Sequence, residues 1–313
     1  MGRSLRLPYF GIDRDGTKGG VTLAAASGAR ECLNTYFTEQ QTPGLRLGLR
    51  CDRVLAHCRS RYQEIALYET ETYGRLLTLD DAVMTTEGDE FVYHEMLVHP
   101  ALVMCPEPAR VLVVGGGDGG AVREVLRHQA VRQVVLAELD EQVVQLSRTF
   151  LPSIAGCMGD PRVQVRIGDG LEYLAAAEDG SFDVILVDSP DPVGPAAGLF
   201  GAAFYQQAAR VLAPEGVLAA QTESPFLHGD LIAGVQKALR RSFQHVGLYW
   251  AVIPTYPGAM WTFSIARQVP LQRTVERGGD LCLRYWSPEI HRAAFVLPPF
   301  VAALAKGDGC SDG

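Results

Sequence analysis

Two periodicities divide this chain. From Tyr36 to about Met84, apolar and polar residues alternate along LRLGLRCDRVLAHCRS, YQEIALYET and GRLLTLDD, with turn residues between the runs. A period of two sends one side of each strand into a core and the other into water. The stretch therefore predicts a small antiparallel β domain, with bounds at residues 32–88. DEFVYHEMLVHPALVM then predicts a helix with its apolar residues on one side, closed by Pro106 and Pro108. Beyond it, strand and helix patterns alternate: RVLVV with AVREVLRHQ, QVVLAEL with DEQVVQLSRTFL, RVQVRIGD with GLEYLAAA. FDVILVD with GAAFYQQAARVL and GVLAAQTES with GDLIAGVQKALRRSF continue the series. Such alternation predicts an α/β domain with a mostly parallel, doubly wound sheet and helices on both faces, over residues 89–300. Residues 1–31, rich in Gly, Ala and charge without periodicity, are expected to form a poorly ordered extension, and 301–313 a flexible tail.

Composition narrows the class. Hydrophobic residues make up 47% and charged residues 20%, an ordinary globular balance that argues against a disordered chain. A net charge of −8 argues against a nucleic-acid partner and suits a cationic substrate. The seven cysteines (Cys32, Cys51, Cys58, Cys105, Cys157, Cys282 and Cys310) form no CxxC pair. Dispersed in this way, they read as reduced cytoplasmic thiols and not as a disulfide framework or a zinc site. No stretch approaches the roughly 18 uncharged residues of a membrane helix. Arg3, Arg6, Asp13, Arg14 and Asp15 leave no apolar run for a secretory signal. The expectation is a cytoplasmic protein without a membrane or nucleic-acid partner.

The candidate chemistry lies where the predicted strands end. Gly115, Gly117 and Gly120 in RVLVVGGGDGGAVREVL satisfy G-x-G-x-x-G, and Glu138 follows the second strand at the spacing from which an acid reaches ribose hydroxyls. Together they imply an adenosine-type ligand, without choosing between NAD and an S-adenosyl compound. Asp169 ends the third strand in GDG, placed to accept from an adenine amino group or to cap a helix, and Gly170 allows close backbone approach. Asp188 and Asp191 close the fourth strand, and Asp118 sits inside the glycine loop. Three acids in one cleft are costly unless a cation neutralises them. Without a histidine-rich or close oxygen ligand set, an organic cation fits better than a metal. Asp118 would repel a pyrophosphate or an amino-acid carboxylate and attract an ammonium. The implied ligand is an adenosine with a positively charged tail. Tyr73, Tyr256 and Trp261 supply aromatic faces for such a cation, or simple core packing.

At this point the motifs resemble a known family. YQEIALYETETYGRLLTLDD, DEFVYHEM, VLVVGGGDGGAVREV, AELD, GDG, DSPDPVGPAAGLF, QTESPFLH, IPTYPGAMW and HRAAFVLP are similar to those of the polyamine aminopropyltransferases, above all the bacterial spermidine synthases, from about Tyr36 to Pro299. The resemblance implies a Rossmann-like, methyltransferase-type domain preceded by a small β domain, in a homodimer or homotetramer. It implies transfer of an aminopropyl group from decarboxylated S-adenosylmethionine, a co-substrate and not a cofactor, to a diamine such as putrescine, with release of methylthioadenosine. Residue by residue, it makes Asp188 the catalytic base and places Asp188, Ser189 and Pro190 among the residues that bind the amines. Gln63, Glu138, Asp169, Gly170 and Pro195 match positions at the adenosine end. His94, Asp118 and Asp191 match positions facing the amines, Tyr73, Tyr256 and Trp261 the channel walls, and Gln221 a polar group near its floor. Where the family commonly reads LDGVVQTTE this chain reads LDDAVMTTE, so Asp81 and Met84 replace a glycine and a glutamine. Tyr36 stands for a common tryptophan, and YPGA for YPSG.

Competing readings stay open on the residues alone. An NAD-dependent oxidoreductase shares the glycine loop and Glu138 but gives no reason for three acids in one cleft. An ordinary methyltransferase would bring a carboxylate to Asp118. A non-catalytic polyamine-binding protein would bind methylthioadenosine without turnover. Other acceptors, namely cadaverine, agmatine or spermidine, differ only in the channel length they need.

Overall fold

The computed structural model describes residues 22–23, 35–190 and 198–307. Six antiparallel strands come first: β1 (Thr22–Leu23), β2 (Thr35–Thr42), β3 (Leu45–Arg59), β4 (Glu64–Thr70), β5 (Gly74–Leu79) and β6 (Ala82–Thr86). Their order is β1-β3-β4-β5-β6, with β2 also paired to the long β3. The β5–β6 hairpin turns on two residues, Asp80 (φ 47°) and Asp81 (φ 63°). A two-residue turn that matches the strand twist needs positive φ at both positions, where a short polar side chain is the best substitute for glycine. Asp81 thus closes the turn in place of the family's glycine.

The remaining chain builds the larger sheet. It contains α1 (Glu90–Met104), β7 (Arg110–Gly115), α2 (Gly120–Leu126), β8 (Gln133–Glu138), α3 (Glu141–Phe150) and α4 (Pro152–Ala155). Next come β9 (Val163–Ile167), α5 (Gly170–Ala176), β10 (Phe182–Asp188), α6 (Ala202–Val211) and β11 (Leu212–Gln221). The chain continues with α7 (Gly229–Leu239), β12 (His245–Val252), β13 (Met260–Arg267), α8 (Pro288–Ala294) and α9 (Pro299–Ala305). Strand order is β12-β13-β11-β10-β7-β8-β9. β7 to β11 are parallel, as the alternation predicts, and β13 runs antiparallel to both neighbours. The pattern reading ended with the helix α7 and did not include the β12–β13 hairpin. One apolar core packs α1 and α2 against one face of the sheet, and a second packs α5, α6 and α7 against the other. The order reverses between β7 and β10, the switch point where such sheets open a crevice at their carboxyl ends.

Three expectations need correction or qualification. The helix α1 is buried on every side and not along one face; only Phe91 is half-exposed. It lies between the sheet, α2 and the segment before α8, so its charged residues are buried with their partners. Residues 301–305 are no loose tail but the body of α9, with Val301 and Leu304 buried against α7 and β12 residues. The extension over 1–31 lies outside the described residues, except for Thr22–Leu23, which pairs with β3. The β domain also shares a core with the larger one: Ala56, Ile65, Leu67 and Leu77 meet Val143, Leu146, Leu151 and Ile154.

Glu95 shows how α1 is held. Its carboxylate accepts three backbone N–H groups, from Arg284 (2.9 Å), Tyr285 (2.8 Å) and Trp286 (2.8 Å). Glu95→Leu strands these donors, each costing about 1–3 kcal/mol when buried. The expected outcome is a loss of about 3 kcal/mol or more in urea unfolding, read as a lower midpoint at unchanged slope.

Candidate active site

The site forms where β7, β8 and β10 end. After β7 the chain turns at Gly115 (φ 80°) and Gly116 (φ 73°), a conformation that side chains rarely adopt. A Cβ on Gly116 would stand 2.6 Å from Asp188 Oδ2, so the loop must pass this close to the end of β10. The Tyr93 hydroxyl donates to Asp188 Oδ1 at 2.6 Å, while Oδ2 is buried without a hydrogen-bond partner among the described residues. Asp118 Oδ1 accepts the Gly120 N–H at 2.9 Å, and its Oδ2 lies 3.5 Å from His94 Nε2. A His94 nitrogen and one oxygen each of Asp118 and Asp188 come within 4.8 Å of one another. Two of the three acids expected to share a cleft, Asp118 and Asp188, therefore meet, together with His94.

Charge regulation follows from this crowding. Burial pushes Asp188 up to about 6; the His94 charge pulls it down, the Asp118 charge pushes it up, and the Tyr93 hydroxyl draws it down. Burial alone would keep His94 neutral, but Asp118 and Glu90 hold it well above the ordinary histidine range. Against its own burial, Asp118 is held below the usual carboxylate range by His94 and the Gly120 N–H. Glu138 accepts N–H donors from Gly117 (3.0 Å) and Asp140 (2.9 Å), yet burial still pushes it up to about 7.

The remaining expected residues divide. Gln63 reaches the site through Asp140, whose Oδ2 also accepts from Ser60 at 2.5 Å; the Gln63 Nε2 distance is 3.1 Å. Asp169 is exposed and caps α5 through the Leu171 N–H at 2.8 Å. A Cβ on Gly170 would meet Val114 Cγ1 at 2.5 Å, so here glycine serves helix–strand packing. Gln221 donates to the Ser189 carbonyl at 2.9 Å; Ser189 is buried and Pro190 exposed. Tyr256 packs edge-on to Trp261 (4.7 Å between centroids) and tilted to Tyr93 (5.5 Å), and its hydroxyl donates to the Met84 carbonyl at 2.6 Å. Tyr73, at the β4–β5 turn, and Tyr256 both pack on the cluster of Phe37, Leu49 and Val83. Asp191 and Pro195 lie outside the described residues.

Sequence reasoning did not assign Tyr93, Glu90, Arg123 or Asp140 to the site. Glu90 and His94, four apart on a predicted helix, offered a signal. Tyr93 meets Asp188 across 95 positions of chain, which no spacing rule could reveal. Among the described residues no helix is long and apolar enough to cross a membrane, and five cysteines are free.

The fold is Rossmann-like, of the methyltransferase type, preceded by a small antiparallel β domain, and Asp118 and Asp188 meet at its switch point. Residues 90–275 match the spermine/spermidine synthase domain and residues 35–87 the spermidine synthase tetramerisation domain. A polyamine aminopropyltransferase of a Thermoanaerobacter species is 46% identical over 86% of this chain and 98% of its own. That of Shouchella clausii is 45% identical over 88% and 100%. A crystal structure of a spermidine synthase in complex with the transition-state analogue AdoDATO superposes with TM-score 0.85 at 34% identity, covering 89% of this chain and 98% of that one. Spermidine synthase from Thermotoga maritima gives 0.84 at 33%, over 89% and 97%. The chain belongs to the spermine/spermidine synthase family and is an alkyl-group transferase that moves aminopropyl groups.

Because the native state holds the Asp188 proton more tightly than the unfolded chain, this carboxyl adds stability below about pH 4, and the gain is lost as pH rises through about 6. A ¹³C-carboxyl titration of the ligand-free enzyme should place Asp188 near 6. Tyr93→Phe removes a donor that favours the carboxylate, so the same resonance should titrate at higher pH. A downward shift would contradict the assigned hydrogen bond.

Proposed function

We propose that this enzyme transfers the aminopropyl group of decarboxylated S-adenosylmethionine to putrescine, giving spermidine and methylthioadenosine. One observation carries the reading: Asp118, Asp188 and His94 converge within 4.8 Å at the switch point, a place suited to amines and hostile to a carboxylate tail. Support for an adenosyl donor comes from the related spermidine synthase held in complex with AdoDATO. The donor is a co-substrate, and neither a further cofactor nor a metal enters the proposal.

The roles follow from position. Glu138, held by two backbone N–H groups, accepts from ribose hydroxyls, with Gln63 oriented beside it through Asp140. Asp169, Gly170 and Pro195 serve the adenine side. Asp118 takes the ammonium of the aminopropyl tail. The distal ammonium of the acceptor lies with Asp191 and the aromatic walls Tyr73, Tyr256 and Trp261, with Gln221 near the floor. Ser189 and Pro190, directly after the base, border the amine-binding side.

The reaction is an in-line displacement. The lone pair of the attacking nitrogen forms the new C–N bond at the carbon next to the sulfonium. The C–S pair returns to sulfur, which leaves as a neutral thioether, and the proton of the attacking nitrogen passes to Asp188, directly or through water. The leaving group needs no activation, so the enzyme's contributions are alignment and a neutral nucleophile. As a base poised near 6, Asp188 is ionised at neutral pH and close enough to the operating range to exchange its proton. The protein is also proposed to be a cytoplasmic homo-oligomer, a dimer or tetramer. The N-terminal match to a tetramerisation domain supports this, as do the exposed Tyr36 and Leu45 on β2 and β3.

Initial rates with decarboxylated donor and a panel of putrescine, cadaverine, agmatine and spermidine test the assignment; putrescine should give the highest kcat/KM. Asp188→Asn should keep the fold and donor binding and lose turnover by about 10²–10⁴. Near wild-type kcat in that variant would reduce Asp188 to a binding residue.

Asp118→Asn addresses donor choice. The aminopropyl ammonium gains a charge-assisted hydrogen bond there of about 1.5–3 kcal/mol. The variant should bind decarboxylated donor more weakly, leave methylthioadenosine nearly unaffected and discriminate less against S-adenosylmethionine. Calorimetric titration showing equal losses for all three ligands would mean that Asp118 only shapes the glycine loop.

A further inference from the structure

His94 is wedged between two carboxylates. Its Nδ1 lies 2.6 Å from Glu90 Oε2 and its Nε2 3.5 Å from Asp118 Oδ2. With Nδ1 at hydrogen-bond distance from one carboxylate and Nε2 at ion-pair distance from a second, the ring is held as an imidazolium. The ring has no room to turn. Its side chain is 2% exposed, Tyr93 stands edge-on at 5.1 Å, and a Cβ on Gly120 would lie 2.2 Å from Cε1.

Glu90 is itself clamped. Arg123 donates through Nη1 to Oε1 (2.9 Å) and through Nη2 to Oε2 (2.8 Å), a planar fork matched to a carboxylate. Arg123 Nε goes to Glu124 at 2.7 Å, which also takes His99 at 3.2 Å and Arg127 at 2.6 Å. The charged and titratable groups facing His94 are thus Glu90 and Tyr93 on α1, Asp118 in the glycine loop, Arg123 on α2 and Asp188 at the end of β10.

We propose that Glu90 is a positioning residue: by fixing His94 as an imidazolium beside Asp118 and Asp188, it keeps the attacking nitrogen of the acceptor amine unprotonated. The proposal rests on the reading of Asp188 as the group beside that nitrogen. Asp118 and Asp188 alone would surround the nitrogen with two negative charges and favour an ammonium, which has no lone pair to attack with. The imidazolium cancels one of them. The remaining negative charge suffices for the ammonium of the donor and no longer holds a proton on the acceptor. A like charge this close disfavours protonation of an amine by about one pH unit or more.

The test is the pH dependence of kcat at saturating donor and putrescine for wild type, Glu90→Gln, His94→Gln and the double variant. Glu90→Gln keeps an oxygen for Nδ1–H but removes the charge that stabilises the imidazolium. Its acid limb should move up by about one unit or more, with activity recovering toward pH 9, while methylthioadenosine affinity stays unchanged. The double variant should follow the His94→Gln profile, because Glu90 acts only through the ring. A Glu90→Gln profile superimposed on wild type, additive shifts in the double variant, or a uniform loss at every pH with a lowered Tm would each overturn the proposal. Asp188→Asn, run alongside, separates the two readings. Wild-type turnover there removes the base and the inference with it, whereas an inactive Asp188→Asn beside an unshifted Glu90→Gln removes the inference alone.

Discussion

Two carboxylates brought together at the end of neighbouring parallel strands set the terms for this structure. Asp118 and Asp188 would repel each other in a site so nearly closed to water, and the fold answers with a histidine and a tyrosine from one buried helix. That helix can be buried on every side only because each of its polar side chains has a partner: Glu90 with Arg123, Glu95 with three backbone amides, His99 with Glu124. Burying a charge without such partners costs several kcal/mol. The ion pairs behind the site are thus a condition of the acids in front of it.

The same logic explains why the small β domain belongs to the catalytic unit. The turn at Ser60 and Gln63 grips Asp140, next to the glutamate at the end of β8. Asp89, at the junction with α1, accepts the Thr255 amide at 3.0 Å and its hydroxyl at 2.8 Å, next to Tyr256. Tyr256 in turn bonds the β6 backbone at Met84. Tyr256 is therefore held from both domains, and an apolar core shared by β3, β4, β5, α3 and α4 holds the domains together. Rigid placement of this kind is what alignment of two flexible amines requires.

The departures from the family pattern can be read in the same terms. Asp81, which the resemblance sets against a family glycine, occupies a left-handed turn position, and Asp80 Oδ1 steadies the turn by accepting the Glu64 amide at 2.8 Å. Met84 contributes its carbonyl to Tyr256 and its side chain to the shared core, so its contact with the tyrosine does not depend on side-chain polarity.

Much of this was legible in the chain. Period-two alternation marked the β domain, alternating strands and helices marked the parallel sheet, and glycine spacing with Glu138 marked the loop and strand end that meet through the Gly117 N–H, because each depends on local geometry repeated along the sequence. The acid in the glycine loop already called for a cation. The chain did not reveal the β12–β13 hairpin or the all-round burial of α1, since a buried helix and a buried strand are apolar runs without a polar face to give their period. Nor did it show that Gly170 makes room for Val114, or choose between the two readings of Asp169, which caps a helix. The hydrogen bond from Tyr93 to Asp188 and the fork of Arg123 on Glu90 join residues far apart in sequence. Sequence by itself determined which groups carry charge; the tertiary structure alone decided which charges meet, because pairing depends on distances that only packing sets.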